Sequence, residues 1–247
     1  MAEGTAQRGQ RGWDQFGPEY DLPPFGGRAR TYVIASTRRS GSHMLGHLML
    51  ATGRLGSPLE YLQPSNLGAW QERLGTDSPA ATVRALMARR SSADGWFGVK
   101  AHWPHVEAAL ADPELVAALD VRDWVRIVRR DKVAQAVSLV IAGQTGAWIS
   151  FVRARRRPEY DRDAVASALR SVHAADAAWD QFFAASSADP YVVVYEELLA
   201  DPDAVLAGVC ERLGVPAPTE PVRAATERQA TDVNEEWRAR FLAETGG

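Results

Sequence analysis

Short, mostly apolar strand candidates alternate with helical segments along most of this chain. The first, at 31–36, is β-branched like a strand buried on both faces of a sheet, and three further candidates lie at 96–100, 124–129 and 191–195. Helical patterns lie between or after them, at 43–53, 78–91, 105–118, 131–145, 163–187, 197–213 and 233–243. Strands that alternate with helices predict an α/β fold, with a mostly parallel central sheet and helices on both faces.

A polar loop joins the first strand candidate to the first helix. It reads Ser36-Thr37-Arg38-Arg39-Ser40-Gly41-Ser42-His43. Because a glycine permits a tight turn and a helix N-terminus carries partial positive charge, the segment has the features of an anion cradle. An arginine adds bidentate donors. The segment resembles a P-loop without the Walker sequence GxxxxGK[ST], so the fold predicted is a P-loop-like three-layer sandwich. An ordinary turn whose serines cap the helix remains an alternative.

The domain organisation follows from where these periodic segments begin. Residues 1–28 contain scattered aromatic side chains without periodicity, so we expect an irregular N-terminal arm. No repeat, low-complexity block or Pro/Ser-rich linker interrupts the rest of the 247-residue chain. We therefore expect residues 29–247 to form a single domain.

Composition narrows the classes of function. A net charge of −3 argues against a dedicated nucleic-acid binder, which needs a basic face. The single cysteine, Cys210, permits neither an intramolecular disulfide nor a multi-cysteine metal site, and its apolar helical setting predicts core packing. We expect no metal site. No apolar stretch approaches a membrane span and no secretory signal is seen, so we expect a cytoplasmic protein without a membrane anchor.

Seven segments between about residues 30 and 243 resemble one family in a consistent order. They are RSGS, SPLEYLQP, GVKAHWP, VRIVRRDKVAQAVSL, QTGAW, VVYEELLADPDAVL and RQATDVNEEW. RSGS is similar to the 5′-phosphosulfate loop of sulfotransferases, and the whole series resembles the Stf0-type (trehalose 2-sulfotransferase-like) family. The resemblance implies transfer of a sulfuryl group from 3′-phosphoadenosine-5′-phosphosulfate (PAPS) to a hydroxyl of a sugar, glycolipid or small-molecule natural product. It also implies adenosine 3′,5′-bisphosphate (PAP) as product, no metal, and a possible homodimer.

The resemblance also assigns residues to the donor site. Arg39 becomes the candidate for stabilising the leaving bisphosphate, whereas His43 stands where the family usually carries a small hydroxyl residue. The loop residues that would surround the 5′-phosphosulfate are Arg38, Arg39, Ser40, Gly41, Ser42 and His43. Elsewhere, Arg130 and Ser138 match the Arg-x7-Ser pair that holds the 3′-phosphate, and Arg228 with Gln229 falls in a late basic loop over the nucleotide.

Two residues compete for the role of catalytic base. Glu60, in LEYLQP, matches the glutamate proposed as base in the Stf0-type family. His102, in VKAHWP, matches the Lys-x-His that supplies the base in the cytosolic sulfotransferases of animals. Histidine titrates near neutral pH and is a natural base, while the overall resemblance favours Glu60. Both remain candidates.

Further residues near these motifs are candidates for contacting the acceptor. Lys100 ends a strand candidate, where ligands bind in parallel sheets, and it is one of only two lysines in the chain. The other, Lys132, is expected to have a structural role. Three tryptophans are candidate aromatic walls for a sugar or aryl group, namely Trp70, Trp103 and Trp148.

Two other functions fit parts of the sequence. A small-molecule kinase with a degenerate P-loop would explain the strand–loop–helix, although the Walker lysine is missing and Asp131 is the nearest candidate for binding Mg²⁺. A catalytically inactive nucleotide-binding protein would explain the change at His43.

Overall fold

The computed structural model describes residues 14–148, 155–223 and 232–246. Within these ranges the strands are β1 (Arg30–Ser36), β2 (Trp96–His102), β3 (Val121–Val128) and β4 (Tyr191–Val194). A 3-10 turn, Pro18–Tyr20, precedes them. The helices are α1 (Ser42–Ala51), α2 (Pro64–Leu74), α3 (Pro79–Arg90), α4 (Trp103–Leu110), α5 (Pro113–Leu119), α6 (Lys132–Thr145), α7 (Arg162–Ser186), α8 (Tyr195–Ala200), α9 (Pro202–Arg212) and α10 (Asp232–Thr245).

The sheet has the order β2-β1-β3-β4, and every neighbouring pair is parallel. Ser36 of β1 is level with His102 of β2, and Val128 of β3 is level with Val194 of β4. The carboxyl ends of all four strands therefore lie at one edge, where parallel sheets bind ligands. The prediction of an α/β fold with a parallel sheet is confirmed.

Two apolar layers cover the faces of the sheet because side chains alternate along each strand. On one face Val33, Ala35, Val99 and Ala101 pack with buried residues of α3, α4, α5 and α7. On the other face Ile34, Val125 and Ile127 pack with α1 and α9, where Cys210 is fully buried as predicted. A smaller cluster joins α10 to α6 and α7.

Several element boundaries differ from the sequence-based prediction. The predicted helix 105–118 is two helices, since Asp112 caps a new start at Pro113. The predicted helix 197–213 is likewise divided, with Asp201 capping α9. Helix α2 was not predicted because Trp70 is its one buried residue and no apolar stripe marks it. The strand at 191–195 ends at Val194, and Tyr195 already belongs to α8.

The described part of the N-terminal arm is attached to the domain through Arg90. The guanidinium of this fully buried arginine donates hydrogen bonds to Asp21 and to the carbonyls of Gln15 and Gly17. It also lies 4.6 Å from the ring of Trp70. Residues 14–21 are thereby held against the core. In the described part of the chain, no helix combines the length and apolarity needed to cross a bilayer.

Candidate active site

The loop after β1 has the backbone conformation of an anion cradle. Arg39 has φ 63° and Gly41 has φ 94°, both left-handed, and α1 begins directly at Ser42. No side chain caps this helix. The Ser40 hydroxyl is buried and has no hydrogen-bond partner among the described residues. The capping alternative therefore fails for Ser40, and its hydroxyl suits a phosphosulfate oxygen at the helix N-terminus.

Tyr195 closes one side of this loop. A Cβ at Gly41 would come within 2.3 Å of the Tyr195 ring, so only glycine allows the two to pack. The guanidinium of Arg129 lies 4.8 Å from the centre of the same ring, and its Nη1 donates to the Arg39 carbonyl oxygen at 3.4 Å. The ends of β1, β3 and β4 thus contact one another around the loop.

Helix α6 holds the other side of the loop. The buried Gln135 donates from Nε2 to the Arg38 carbonyl oxygen at 2.7 Å, while the Arg38 side chain is exposed. Arg39 donates from Nε to Ser138 Oγ at 2.9 Å and from Nη1 to the Trp148 carbonyl oxygen. Burial and the nearby Arg129 lower the pKa of Arg39 to about 10, so it stays a cation at neutral pH.

Arg130 and Ser138, the predicted 3′-phosphate pair, each bind a different partner. Ser138 binds Arg39, whereas the exposed Arg130 side chain forms an ion pair with Glu197. The backbone amides of Arg130 and Asp131 donate to the Glu196 carboxylate. Arg130 and Ser138 both lie at the carboxyl edge of the sheet, on either side of the start of α6. Arg228 and Gln229 lie outside the described residues.

The two candidate bases are neighbours in space. Glu60 Oε1 lies 2.7 Å from Lys100 Nζ and 3.6 Å from His102 Nε2. Lys100 and His102 are two residues apart on β2 and therefore point to the same face. Glu60 reaches them because Leu59 forms an isolated parallel bridge with Val99. The structure unites three residues that the sequence presented as separate candidates.

The hydrogen bonds of His102 determine which of its two ring nitrogens carries the hydrogen. Nδ1 lies 3.1 Å from the Ser36 carbonyl oxygen, which can only accept. Nδ1 is also 3.0 Å from Ser36 Oγ, whose own hydrogen is donated to the Ala101 carbonyl oxygen. Nδ1 must therefore carry the hydrogen in the neutral ring, which leaves the lone pair of Nε2 facing Glu60.

Burial and charge keep both candidate bases unprotonated at neutral pH. Burial acts to raise the pKa of Glu60, but Lys100 and His102 outweigh it and lower this pKa to about 2. Burial lowers the pKa of His102 to about 4, against the opposing effect of Glu60. The site thus presents two unprotonated acceptors, the Glu60 carboxylate and the Nε2 lone pair of His102.

His43 lies between the donor loop and this acid–base cluster. Its ring centre is 4.4 Å from that of His47 on the next turn of α1. Burial, Lys100 and His47 lower the pKa of His43 to about 2, and Glu60 and Arg39 also act on it. The histidine in the place of a small hydroxyl residue is therefore neutral.

The three candidate tryptophans lie in different surroundings. Trp148 is 46% exposed, and its carbonyl oxygen accepts from Arg39. Trp103 starts α4 beside the acid–base cluster and packs edge-on against Trp179, with ring centres 5.4 Å apart. Trp70 is only 4% exposed, so it is a core side chain and not an aromatic wall for an acceptor.

The buried histidines are expected to make the fold sensitive to acid. Burial lowers the pKa of His47 and of His102 to about 4, from an ordinary value near 6.5. Between these values the unfolded chain binds protons that the folded chain does not, so stability is fully present above pH 6.5 and falls towards pH 4. We expect each histidine to cost on the order of 2–3 kcal/mol at the acidic end.

Urea unfolding at pH 5 and pH 7.5 measures this loss of stability. The His47→Gln variant should show a smaller difference between the two pH values than the wild type. Equal unfolding free energies at both pH values in the wild type would contradict the expectation.

Several residues of the site were missed from the sequence. Tyr195 and Glu196 follow β4 directly, so the rule that ligands lie at strand carboxyl ends was a usable signal for them. Gln135 carries no comparable signal, because a polar residue on an amphipathic helix is usually at the surface. Among the described residues, no group of three or more His, Cys, Asp and Glu side chains is arranged to hold a metal.

Comparison with known proteins identifies the family. The Stf0 sulphotransferase family model matches residues 31–114 and 100–244. Trehalose 2-sulfotransferase from Mycobacterium tuberculosis (strain ATCC 35801 / TMC 107 / Erdman) is 28% identical over 262 residues, covering 87% of this chain and 95% of the relative. Trehalose 2-sulfotransferase from Mycolicibacterium smegmatis (strain ATCC 700084 / mc(2)155) is 27% identical over 252 residues, covering 85% and 93%.

Among solved structures, the sulfotransferase domain from the Synechococcus PCC 7002 olefin synthase covers 90% of each chain at 17% identity, with a TM-score of 0.46. This distant likeness adds nothing to the assignment, which depends on the family model and the two relatives. The match extends over most of the chain and includes the loop after β1, β2 and the start of α6. It decides against the kinase and the inactive binding protein. The chain is a sulfotransferase and belongs to the Stf0 sulphotransferase family.

Proposed function

We propose that this sulfotransferase uses PAPS as its donor and sulfates a hydroxyl of a sugar or a related polyhydroxylated small molecule. The observation that carries the proposal is the pair formed by His102 Nε2 and Glu60 Oε1, 3.6 Å apart. The pair adjoins the anion cradle, because Ser36, the last residue before the loop, is hydrogen-bonded to His102. Proton acceptors and anion-binding donors thus meet at one edge of the sheet.

The donor end of the site is the loop after β1. When bound, PAPS supplies an activated sulfuryl group on a phosphate that gains negative charge as the bond breaks. Ser40 Oγ and the first amides of α1 would hold the phosphosulfate, and Arg39 would counter the developing charge. Arg130 and Ser138 would face the 3′-phosphate, with Arg38 and His43 as further loop contacts. Arg228 and Gln229 stay proposals from the resemblance.

The acceptor proton would go to His102. Its Nε2 lone pair is fixed by the hydrogen that Nδ1 donates to Ser36, whereas Glu60 Oε1 is already engaged by Lys100 Nζ at 2.7 Å. A protonated imidazole would be stabilised by the Glu60 carboxylate, while Lys100 keeps that carboxylate charged. Glu60 would therefore orient the hydroxyl and stabilise the imidazolium instead of taking the proton itself.

The acceptor side of the site is polar. Glu60, Lys100, His102 and His105 together offer donors and acceptors in a small volume, which suits a polyol better than an apolar aglycone. Trp103 and the exposed Trp148 are the remaining aromatic candidates for stacking. The two relatives carry trehalose in their names, so trehalose is the first acceptor to test. We further propose a cytoplasmic enzyme that forms a homodimer.

Calorimetric titration with PAP, followed by a transfer assay with PAPS, tests the function. We expect micromolar binding of PAP without added metal and transfer of labelled sulfate to trehalose or another sugar in an acceptor panel. Binding without transfer to any hydroxyl acceptor would contradict the proposed acceptor class. A folded sample that fails to bind PAP at millimolar concentration would contradict PAPS as donor, and stabilisation by ATP with Mg²⁺ but not by PAP would do the same.

A further inference from the structure

A charged cluster lies next to the phosphate loop and apart from the acid–base cluster. Asp176, on α7, accepts hydrogen bonds from Thr37 Oγ1 at 2.6 Å, Arg126 Nη2 at 3.0 Å and Lys132 Nζ at 2.5 Å. The Asp176 side chain is 15% exposed and that of Arg126 is 4% exposed. Charged groups at this depth persist only when they are paired and hydrogen-bonded.

The three donors to Asp176 come from three different elements. Thr37 directly follows β1 and begins the phosphate loop, Arg126 lies on β3, and Lys132 is the first residue of α6. Asp176 itself comes from the long helix α7, which covers the face of the sheet that carries Val33 and Val99. One carboxylate therefore joins the start of the loop to the two elements that form the other side of the donor site.

The next two loop residues are held by α6 in the same way. Gln135 donates to the Arg38 carbonyl oxygen, and Ser138 accepts from Arg39. Together with Lys132, these residues are three apart along α6, and residues at that spacing are neighbours on a helix surface. Positions 37, 38 and 39 of the loop are thus fixed one after another along one side of α6, the first of them through Asp176.

The cluster is a part-buried network of opposite charges. Lys132 and Arg126 carry two formal positive charges, and they face the carboxylates of Asp176 and of Asp180, which also acts on Arg126. Burial acts to raise the pKa of Asp176, but hydrogen bonds from Lys132 and Thr37 outweigh it and hold this pKa below its usual range. Arg126 Nε and Nη1 are buried without a hydrogen-bond partner in the part of the chain that the structure describes. Unpaired guanidinium donors of Arg126 therefore remain next to the carboxylate that holds Thr37.

We propose that Thr37 and Asp176 are positioning residues, which set the phosphate loop in the conformation that binds the 5′-phosphosulfate. The proposal rests on the proposed function, because it assigns the loop to that group. The Thr37 hydroxyl is the connection, since within the described ranges it is the loop side chain that donates a hydrogen bond to Asp176. Without this hydrogen bond the ion pairs of Asp176 remain, but Thr37, the first residue of the loop, is no longer held in place.

The Thr37→Val variant tests the connection because valine has nearly the same shape and lacks the hydroxyl. We expect the KM for PAPS and the Kd for PAP to rise on the order of tenfold, while the KM for the acceptor stays close to wild type and the protein remains folded. Thr37→Ser, which restores a hydroxyl, should recover most of the donor affinity.

Thr31→Val is the matched control. Thr31 is buried at the other end of the same strand, and its hydroxyl has no hydrogen-bond partner among the described residues. We expect it to leave both donor constants unchanged. Wild-type donor constants in Thr37→Val, or equal losses in the valine and serine variants, would overturn the positioning role. Failure of the wild type itself to bind PAP would instead overturn the proposed function.

Discussion

Arg39→Ala is expected to lower kcat by at least about 100-fold, with a smaller loss of affinity for PAP. Removing one preorganised donor from the position where charge develops costs a factor of about 100 to 1000 in catalysed group transfer. Arg39 is held for that role from two directions, since its Nε donates to Ser138 and its Nη1 to the Trp148 carbonyl oxygen. The measurement is a comparison of initial rates at saturating PAPS and acceptor.

Two further variants define what the guanidinium contributes. Arg39→Lys keeps a positive charge without the fork of donors, so its kcat should lie between those of the wild type and Arg39→Ala. Arg54 follows the end of α1, is exposed and pairs with Asp94. The Arg54→Ala variant should therefore retain wild-type kcat. A wild-type kcat in Arg39→Ala would remove Arg39 from the catalytic machinery.

His102→Ala is expected to have the second large effect, a loss of about 100- to 1000-fold in kcat with little change in the Kd for PAP. General base catalysis contributes about this factor, and the imidazole is the acceptor that Lys100 does not engage, since Lys100 Nζ pairs with Glu60 Oε1. Glu60→Gln should lose less, on the order of tenfold, because His102 would still accept the proton. Initial rates and calorimetric binding of PAP to each variant provide the measurement.

The pH dependence of kcat distinguishes the two assignments. With His102 as base, the wild-type kcat should rise with pH up to the pKa of His102, near 4 in the free protein, and stay level above it. Glu60→Gln removes the carboxylate that favours the protonated ring, so the rise should shift to lower pH. A greater loss of kcat in Glu60→Gln than in His102→Ala would assign the proton to Glu60 instead.

The fold was predictable because its evidence is local. Strands β1, β3 and β4 contain runs of Val and Ile, β2 is a short apolar segment, and helices separate the strands along the chain, so the parallel sheet could be predicted from this alternation. Helix α2 was missed because its single buried side chain, Trp70, leaves no period to detect. The divisions before Pro113 and Pro202 were missed because apolar residues resume soon after each Asp-Pro pair, although that pair is itself a helix-start signal.

The candidate site was predictable only where chemistry followed a strand along the chain. Lys100 was identified in this way, and so was the loop from Arg38 to His43, whereas Glu60 and His102 became candidates through resemblance. The nearness of Glu60 to His102 depends on a single bridge between Leu59 and Val99, which no local pattern indicates. Ser138 was assigned to the 3′-phosphate by resemblance, but its hydrogen bond to Arg39 depends on how α6 is placed beside the loop.

The contact between Tyr195 and Gly41 constrains which residues can occupy these two positions, which are far apart in the chain. The Tyr195 ring occupies the volume that any larger residue at position 41 would need. The Arg129 guanidinium beside the ring limits how far the ring can move away. Because Gly41 also has a left-handed φ of 94°, a relative that has lost the glycine should have both a rearranged loop backbone and a smaller side chain at position 195. Paired substitutions at positions 41 and 195 would accordingly show how the opening of the donor site changed as the family diversified.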